Sequence, residues 1–229
     1  MVGPGFVLTD TCLTRNTWVC PLYVRTRSDE LVEATVSHVL ISFSAVLVAL
    51  LVAVPVALAV RRSPRWRQAV EGTAAVVYTI PSLALFVLLV PLAGLSALTV
   101  VVGLVLYAQT ILIRAVLVGL GTVPVEVTDA ATGMGYGPGR LLWRVEAPLA
   151  LPTVMAGLRV AAVSTVALTT VGAIIGHGGL GNLIYAGLRS VFRAEVLTAS
   201  VLCVLLAVVA DLSLVGLQRA LTPWRRGVG

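Results

Sequence analysis

The chain has 229 residues, 59% of them hydrophobic and 11% charged, with a formal net charge of +6. A water-facing domain carries about 25% charged residues, so this composition excludes an ordinary soluble enzyme and points to an integral membrane protein, in line with a mean hydropathy of +1.03. All 16 basic residues are arginine; a P-loop needs a lysine to reach the nucleotide phosphates, and the positive charge fits cytoplasmic loops better than a nucleic-acid surface.

Residues 2–8 are too short and too interrupted by Gly3, Pro4 and Gly5 to be the apolar core of a signal peptide. Cys12 and Cys20 precede the first long apolar run. A disulfide is open to them if they face an oxidising compartment, and two separate thiols are the equal alternative. Residues 29–37 form an amphipathic lead-in. The uncharged run 39–60 is long enough to cross a bilayer, which takes about 20 helical residues. The basic loop RRSPRWR follows, with Arg61, Arg62, Arg65 and Arg67. Residues 72–113 carry no charge and suit two spans, turning at Gly94-Leu95-Ser96. A further uncharged run, 160–188, ends in GHGGLGNLI, and the last span covers 196–218 with Asp211 inside it.

The expected architecture is therefore an all-α integral membrane fold of about five transmembrane helices. It divides into an extracytoplasmic tail and lead-in (1–35), a transmembrane domain (36–218) and a cytoplasmic tail (219–229). With RRSPRWR inside, Arg140, Arg144, Arg219, Arg225 and Arg226 also fall inside, and Arg114 sits at a helix end. The outer side receives Arg15, Arg25, Arg27, Arg189 and Arg193, diluted by Asp10, Asp29, Glu30, Glu33 and Glu195. The positive-inside bias then gives N-out, C-in.

One polar interval interrupts the oil: DAATGMGYGPGRLLWRVEAPLALP, from Asp129 to Pro152. Pro124 suits a helix start, and Glu126 and Asp129 lie near that helix's positive end. Ala130 and Ala131 allow close approach by another surface. Gly133, Gly135, Gly137 and Gly139 end the helix and admit angles other residues resist. A second amphipathic helix is expected over 140–145, with Leu141, Leu142 and Trp143 available to pack, and Pro148 and Pro152 bracket re-entry into the membrane. The physical picture is a compact cytoplasmic knob: either an ordinary loop with two helical turns or a docking element for a soluble partner.

The spacing of this interval resembles the EAA loop of type I ABC importer permeases, at Asp129, Ala130, Ala131, Gly135, Val145, Ala147 and Pro148. Asp129 and Ala147 stand where that family more often has Glu and Leu. The segments TIPSLALFVLLVPLAGL, LYAQTILIRAVLVGL, VEAPLALPTVMAGLR and IGHGGLGNLIYAGL are similar to the osmoprotectant branch, the glycine betaine, carnitine and choline permeases of the ProW and OpuC type. The resemblance covers about residues 31–218. It implies that the loop is a coupling helix seated in an ATPase subunit, and that ATP and magnesium are bound there, with no cofactor in this chain. The implied partners are ABC ATPase subunits, a second permease subunit of the same or similar chain, an extracytoplasmic solute-binding protein and membrane lipid, with no nucleic acid. The implied location is the bacterial inner membrane. His177 stands where that branch has a small residue.

Pro81 interrupts a membrane helix and frees a carbonyl, a break tolerated where backbone lines a cavity or is buried in protein. Tyr78, Thr79, Pro81, Ser82, Tyr107 and Gln109 are the candidate pathway residues, with plain helix packing as the alternative. Ser164, Thr165, Thr169 and Thr170 either line the pathway or bond back to their own helix. Asp211 within a span calls for a partner; Arg114 and Arg159 are the candidates for an intramembrane ion pair, and an ion relay is the second reading. No catalytic residue and no metal site are assigned: the cysteines do not fit zinc spacing, and His177 stands alone with His38 placed on the far side of the first span. The competing functions are a methionine or other small-nutrient permease, a partner-independent channel or carrier built on Asp211, and a purely structural subunit.

Overall fold

The computed structural model describes residues 11–224; Asp10, Arg225, Arg226 and residues 2–8 lie outside the described residues. In chain order these form α1 (Pro21–Thr26), α2 (Ser28–Val60), α3 (Pro64–Thr79), α4 (Ser82–Ala93), α5 (Ala97–Gly121), α6 (Val125–Gly133), α7 (Pro138–Leu141), a π turn (Leu142–Glu146), α8 (Ala147–Thr169), a 3-10 turn (Thr170–Ile175), α9 (Leu180–Arg189) and α10 (Arg193–Leu221). Four rods are long and apolar enough to cross a membrane: α2, α5, the continuous run Pro138–Ile175, and α10. A fifth span is α3 with α4, bent by 99°.

The centre of the bundle is α2, α5 and α8, and small residues put it there. Ala45, Ala49, Ala53 and Ala57 are fully buried; spaced four apart, they make one stripe of α2 that admits close helix approach in lipid, where packing rather than hydrophobicity drives association. Ala49, Ala53 and Ala57 pack with Ala108, Leu112 and Val116 of α5 and with Met155, Leu158 and Ala161 of α8. The α5–α8 crossing is so tight that a Cβ on Gly157 would lie 2.2 Å from that of Ala115. By contrast, none of the most apolar window of α10 is buried within the chain.

The break between α3 and α4 follows from Ile80-Pro81. Proline disfavours helical angles in the residue before it, and Ile80 is extended, with φ −66° and ψ 127°. The freed Ile80 carbonyl takes a hydrogen bond from the Tyr107 hydroxyl. Thr110 Oγ1 donates to Ala74 O at 2.7 Å, so α5 holds the broken span at a second point.

Several expected boundaries move. The fourth span runs Pro138–Ile175 rather than 160–188, because Arg159, which ended the uncharged run, is paired with Asp211 of α10. Residues 140–145 are not a separate helix but the foot of that same rod. Pro148 lies in the first turn of α8 and Pro152 within it, so the two do not bracket an entry point. GHGGLG leaves the span at Gly176, with φ +79°, and α9 is a helix of its own. The lead-in at 29–37 is continuous with the first span.

At the outer end, Cys12 and Cys20 form a disulfide, with a Cα–Cα distance of 5.4 Å. This chemistry belongs to an oxidising compartment and agrees with the outward N-terminus given by the arginine count. The loop it closes is fastened to the α9–α10 elbow: Asn16 Nδ2 donates to Val191 O at 2.7 Å, and Arg193 N donates to Asn16 Oδ1 at 2.9 Å. Tyr23 is buried against Phe192 in an edge contact at 5.3 Å. Burial, with help from Glu195 and Glu30, pushes its phenol up to about 12.

Candidate coupling knob and pathway

The knob begins at α6, whose first turn carries Glu126. Its end is a Schellman motif: Tyr136 N donates to Ala131 O at 3.1 Å and Gly135 N to Thr132 O at 2.9 Å. This motif places the residue after the cap in the left-handed region, where glycine is favoured. That residue is Gly135, with φ +85°; among the four glycines of the interval it alone has a positive φ. Gly137 is extended and begins α7 with Pro138 in its first turn. The Arg140 guanidinium lies 5.7 Å from the centre of the Tyr136 ring, a cation–π distance.

The seven residues singled out for coupling do not share one environment. Asp129, Ala130 and Gly135 are exposed, Ala131 is buried, and Val145, Ala147 and Pro148 are half-buried. The knob also exposes four large apolar side chains, Val125, Val127, Met134 and Trp143, the last two 72% and 69% exposed. Trp143 therefore projects outward instead of packing inward. Met134 had no signal in the sequence, since a lone methionine in a glycine-rich stretch has no periodicity to place it.

Two features join the knob to the bundle. The π turn Leu142–Glu146 makes it continuous with α8, and such wide turns are frequent at functional sites. Arg61, at the cytoplasmic end of α2, donates Nη1 to Glu146 Oε2 at 2.5 Å, both side chains being about 15% exposed. Neither partner had been connected by sequence reasoning, because 85 residues separate them.

Within the membrane domain, the residues proposed to line a pathway divide into two groups. Tyr78 and Tyr107 meet edge to face at 5.6 Å beside the Pro81 break, with exposed Thr79 and half-buried Ser82 on either side of it. The Thr79 hydroxyl bonds back to Val76 O at 2.7 Å. Gln109 belongs elsewhere: two residues from Tyr107, it faces α2 and donates to Ala49 O at 3.1 Å.

Of the two candidate partners for Asp211, Arg159 is the one that meets it. Its Nε and Nη2 reach the two carboxylate oxygens at 2.7 and 2.8 Å, a bidentate fork suited to guanidinium geometry. It joins α8 to α10.

The span hydroxyls also regroup. Thr165 and Thr169 form a stripe one turn apart; both bond back along α8, and Thr169 lies 3.3 Å from Ser42 Oγ. His38 does not lie away from the GHGGLG segment: fully buried, it reaches Val166 O at 3.0 Å. It also packs so closely on Gly179 that a Cβ there would come within 2.6 Å of its own. His177 Nδ1 meets Ile175 O at 3.0 Å, and no group of three or more metal-ligating side chains occurs among the described residues.

Residues 45–227 match the family described as binding-protein-dependent transport system inner membrane component. The chain belongs to that family. This permease is 34% identical over 193 residues to the carnitine transport permease OpuCB of Listeria monocytogenes, covering 84% of this chain and 88% of that one. It is 35% identical over 193 residues to the glycine betaine/carnitine/choline transport system permease OpuCD of Bacillus subtilis (strain 168), covering 84% of each. Its fold is similar to that of a chain from inward-facing conformations of the methionine ABC transporter MetNI, with a TM-score of 0.78 at 22% identity, covering 86% of this chain and 98% of that one. It is a multi-pass inner-membrane transport subunit with the type I importer permease fold.

Proposed function

We propose that this permease imports quaternary-ammonium osmoprotectants such as glycine betaine, carnitine or choline. The observation that carries the cargo class is the 34–35% identity to permeases named for these solutes over 84% of the chain. Two such subunits, alike or similar, form the pathway. A solute-binding protein delivers cargo to the outer face, and two ATPase subunits, which bind the ATP and magnesium, dock on the knobs.

The support for the docking role is physical. Met134, Trp143 and Val125 are exposed on a polar-built projection, and large side chains, Trp above all, are common anchors of a protein interface. Conformational energy reaches the pathway only through a difference in how the partner binds two states. A knob continuous with α8 can carry such a difference into the bundle. Selectivity for a cation of this type calls for an aromatic cage; Tyr78 and Tyr107 offer two rings, so most of the recognition is assigned to the binding protein.

The test is purification of the tagged permease from its native membrane in mild detergent, with mass spectrometry of what accompanies it, followed by uptake of labelled glycine betaine, carnitine, choline and methionine in proteoliposomes. Recovery of an ATPase and uptake of a quaternary-ammonium solute is the expected result. Methionine uptake alone would overturn the cargo, and a folded permease that brings no ATPase would overturn the coupling role.

A further inference from the structure

Four ion pairs are defined among the described residues. Two are local: Arg27–Glu30, three residues apart, and Arg67–Glu71, four apart. The other two cross the bundle, and both involve the rod that rises from the knob: Glu146 at its foot reaches Arg61 of α2, and Arg159 at its middle reaches Asp211 of α10. This rod therefore has charged attachments to two other spans.

The lower attachment lies where the knob meets the membrane domain. Glu146 ends the π turn, between Val145 and Ala147, two positions of the coupling pattern. Arg61 follows the last turn of α2, where a cation is favoured by the helix dipole. Above it on the same helix lie the buried Ala57, Ala53, Ala49 and Ala45, the stripe on which the bundle is packed. Near the knob, the π turn is a local departure from α-helical hydrogen bonding, and α6 ends at a glycine-dependent turn. A short charged contact at about 15% exposure is directional and less screened than a surface pair.

We propose that Arg61–Glu146 is a coupling strut: it makes the cytoplasmic end of α2 follow the knob, so that motion imposed at the knob moves α2 together with α8. Arg61 and Glu146 are positioning residues; neither is assigned contact with cargo or nucleotide. The inference rests on the proposed docking of an ATPase at the knob.

The experiment uses the full permease with its co-purified ATPase in proteoliposomes, comparing wild type with Arg61→Ala, the near-isosteric Glu146→Gln and the exchange Arg61→Glu/Glu146→Arg. Cargo moved per ATP hydrolysed is the readout, alongside the amount of ATPase retained and the elution profile in detergent. With the ATPase retained, cargo per ATP falls about five- to tenfold in the single variants, the size of a typical coupling between sites, and recovers in the exchange. A ratio unchanged in both single variants overturns the strut. So does a loss confined to ATPase retention in Glu146→Gln, which would make Glu146 a direct docking residue. Arg61→Lys, which keeps the charge, serves if Arg61→Ala does not fold; it retains more coupling than Glu146→Gln, and equal loss in the two would overturn the role of charge. Failure of wild type itself to retain an ATPase would instead overturn the proposed function, and the two failures are separable.

Discussion

The two ends of this bundle are built on opposite plans. At the outer end the N-terminal loop is closed by a disulfide and pinned by Asn16 to residues about 175 positions away, with Tyr23 buried beside the junction. At the cytoplasmic end, α6 and α7 stand out on a left-handed glycine, a π turn and one cross-bundle ion pair, with Met134 and Trp143 exposed. One end is fixed to the molecule itself; the other is shaped internally but leaves its apolar tips uncovered. On the proposed docking role of the knob, the difference separates stability from coupling. Disturbing the outer end should cost folding free energy, whereas disturbing the knob should cost partner capture with little change in stability.

The strongest test of that contrast compares glycines. Gly179 has φ +56°, and a Cβ there would lie 2.6 Å from the His38 Cβ and 2.7 Å from its backbone. Gly179→Ala therefore combines overpacking with left-handed strain and should cost about 3 kcal/mol, read as a lowered thermal midpoint in detergent. Gly137, with ordinary angles and open space around it, should accept alanine with little change.

Next in size is the disulfide. Replacing Cys12 and Cys20 by serine opens a loop of sequence separation 8, worth about 2–3 kcal/mol on the chain-entropy account. Faster hydrogen exchange is expected in residues 11–27 and at the α9–α10 elbow, while ATPase retention stays at the wild-type level. Loss of the ATPase in this variant would break the division between the two ends.

At the knob, Gly135→Ala meets no steric obstacle, so its effect is conformational. Holding alanine at φ +85° costs about 1–2 kcal/mol, close to a tenfold fall in ATPase captured at limiting concentration. The thermal midpoint of the permease alone should barely move, because the exposed turn can relax.

The last effect appears only at alkaline pH. A phenol raised from 10.0 to about 12 by burial favours the folded state in its protonated form. That contribution is whole below pH 10 and declines as the unfolded state ionises first, between about pH 10 and about pH 12. Tyr23→Phe should remove this pH-dependent part of the outer loop's opening, followed by hydrogen exchange at Asn16 and Arg193; an unchanged profile would show that Tyr23 is not the group responsible.

Much of the fold was legible in composition and charge. Uncharged length located the first span, the broken span and the last one, and arginine placement gave the expected orientation. Where that logic failed, a charge had been neutralised out of sequence view: Arg159 looked like the edge of a loop because its partner lies 52 residues away on another helix. Gly135 was marked out by the resemblance to the EAA loop; local chemistry left four glycines as equal helix-enders, and the Schellman turn is what distinguishes Gly135 among them. The exposure of Met134 and Trp143 had no such signal behind it. Ala45, Ala49, Ala53 and Ala57 left a readable mark, a four-residue repeat of small side chains, which a search for charge-free runs passes over.

The sequence by itself determined that this chain lives in a membrane, where it breaks at Pro81 and where it interrupts its apolar runs with a glycine-ended knob. These follow from local chemistry: bilayer solvation, missing N–H groups and backbone angles that only some residues tolerate. Only the tertiary structure decided that Arg159 takes Asp211, that Arg61 takes Glu146, that Gln109 faces α2 rather than Tyr78, and that Asn16 holds the outer elbow. Those pairings depend on which helix faces come together, and that is set by small residues packed across the whole bundle.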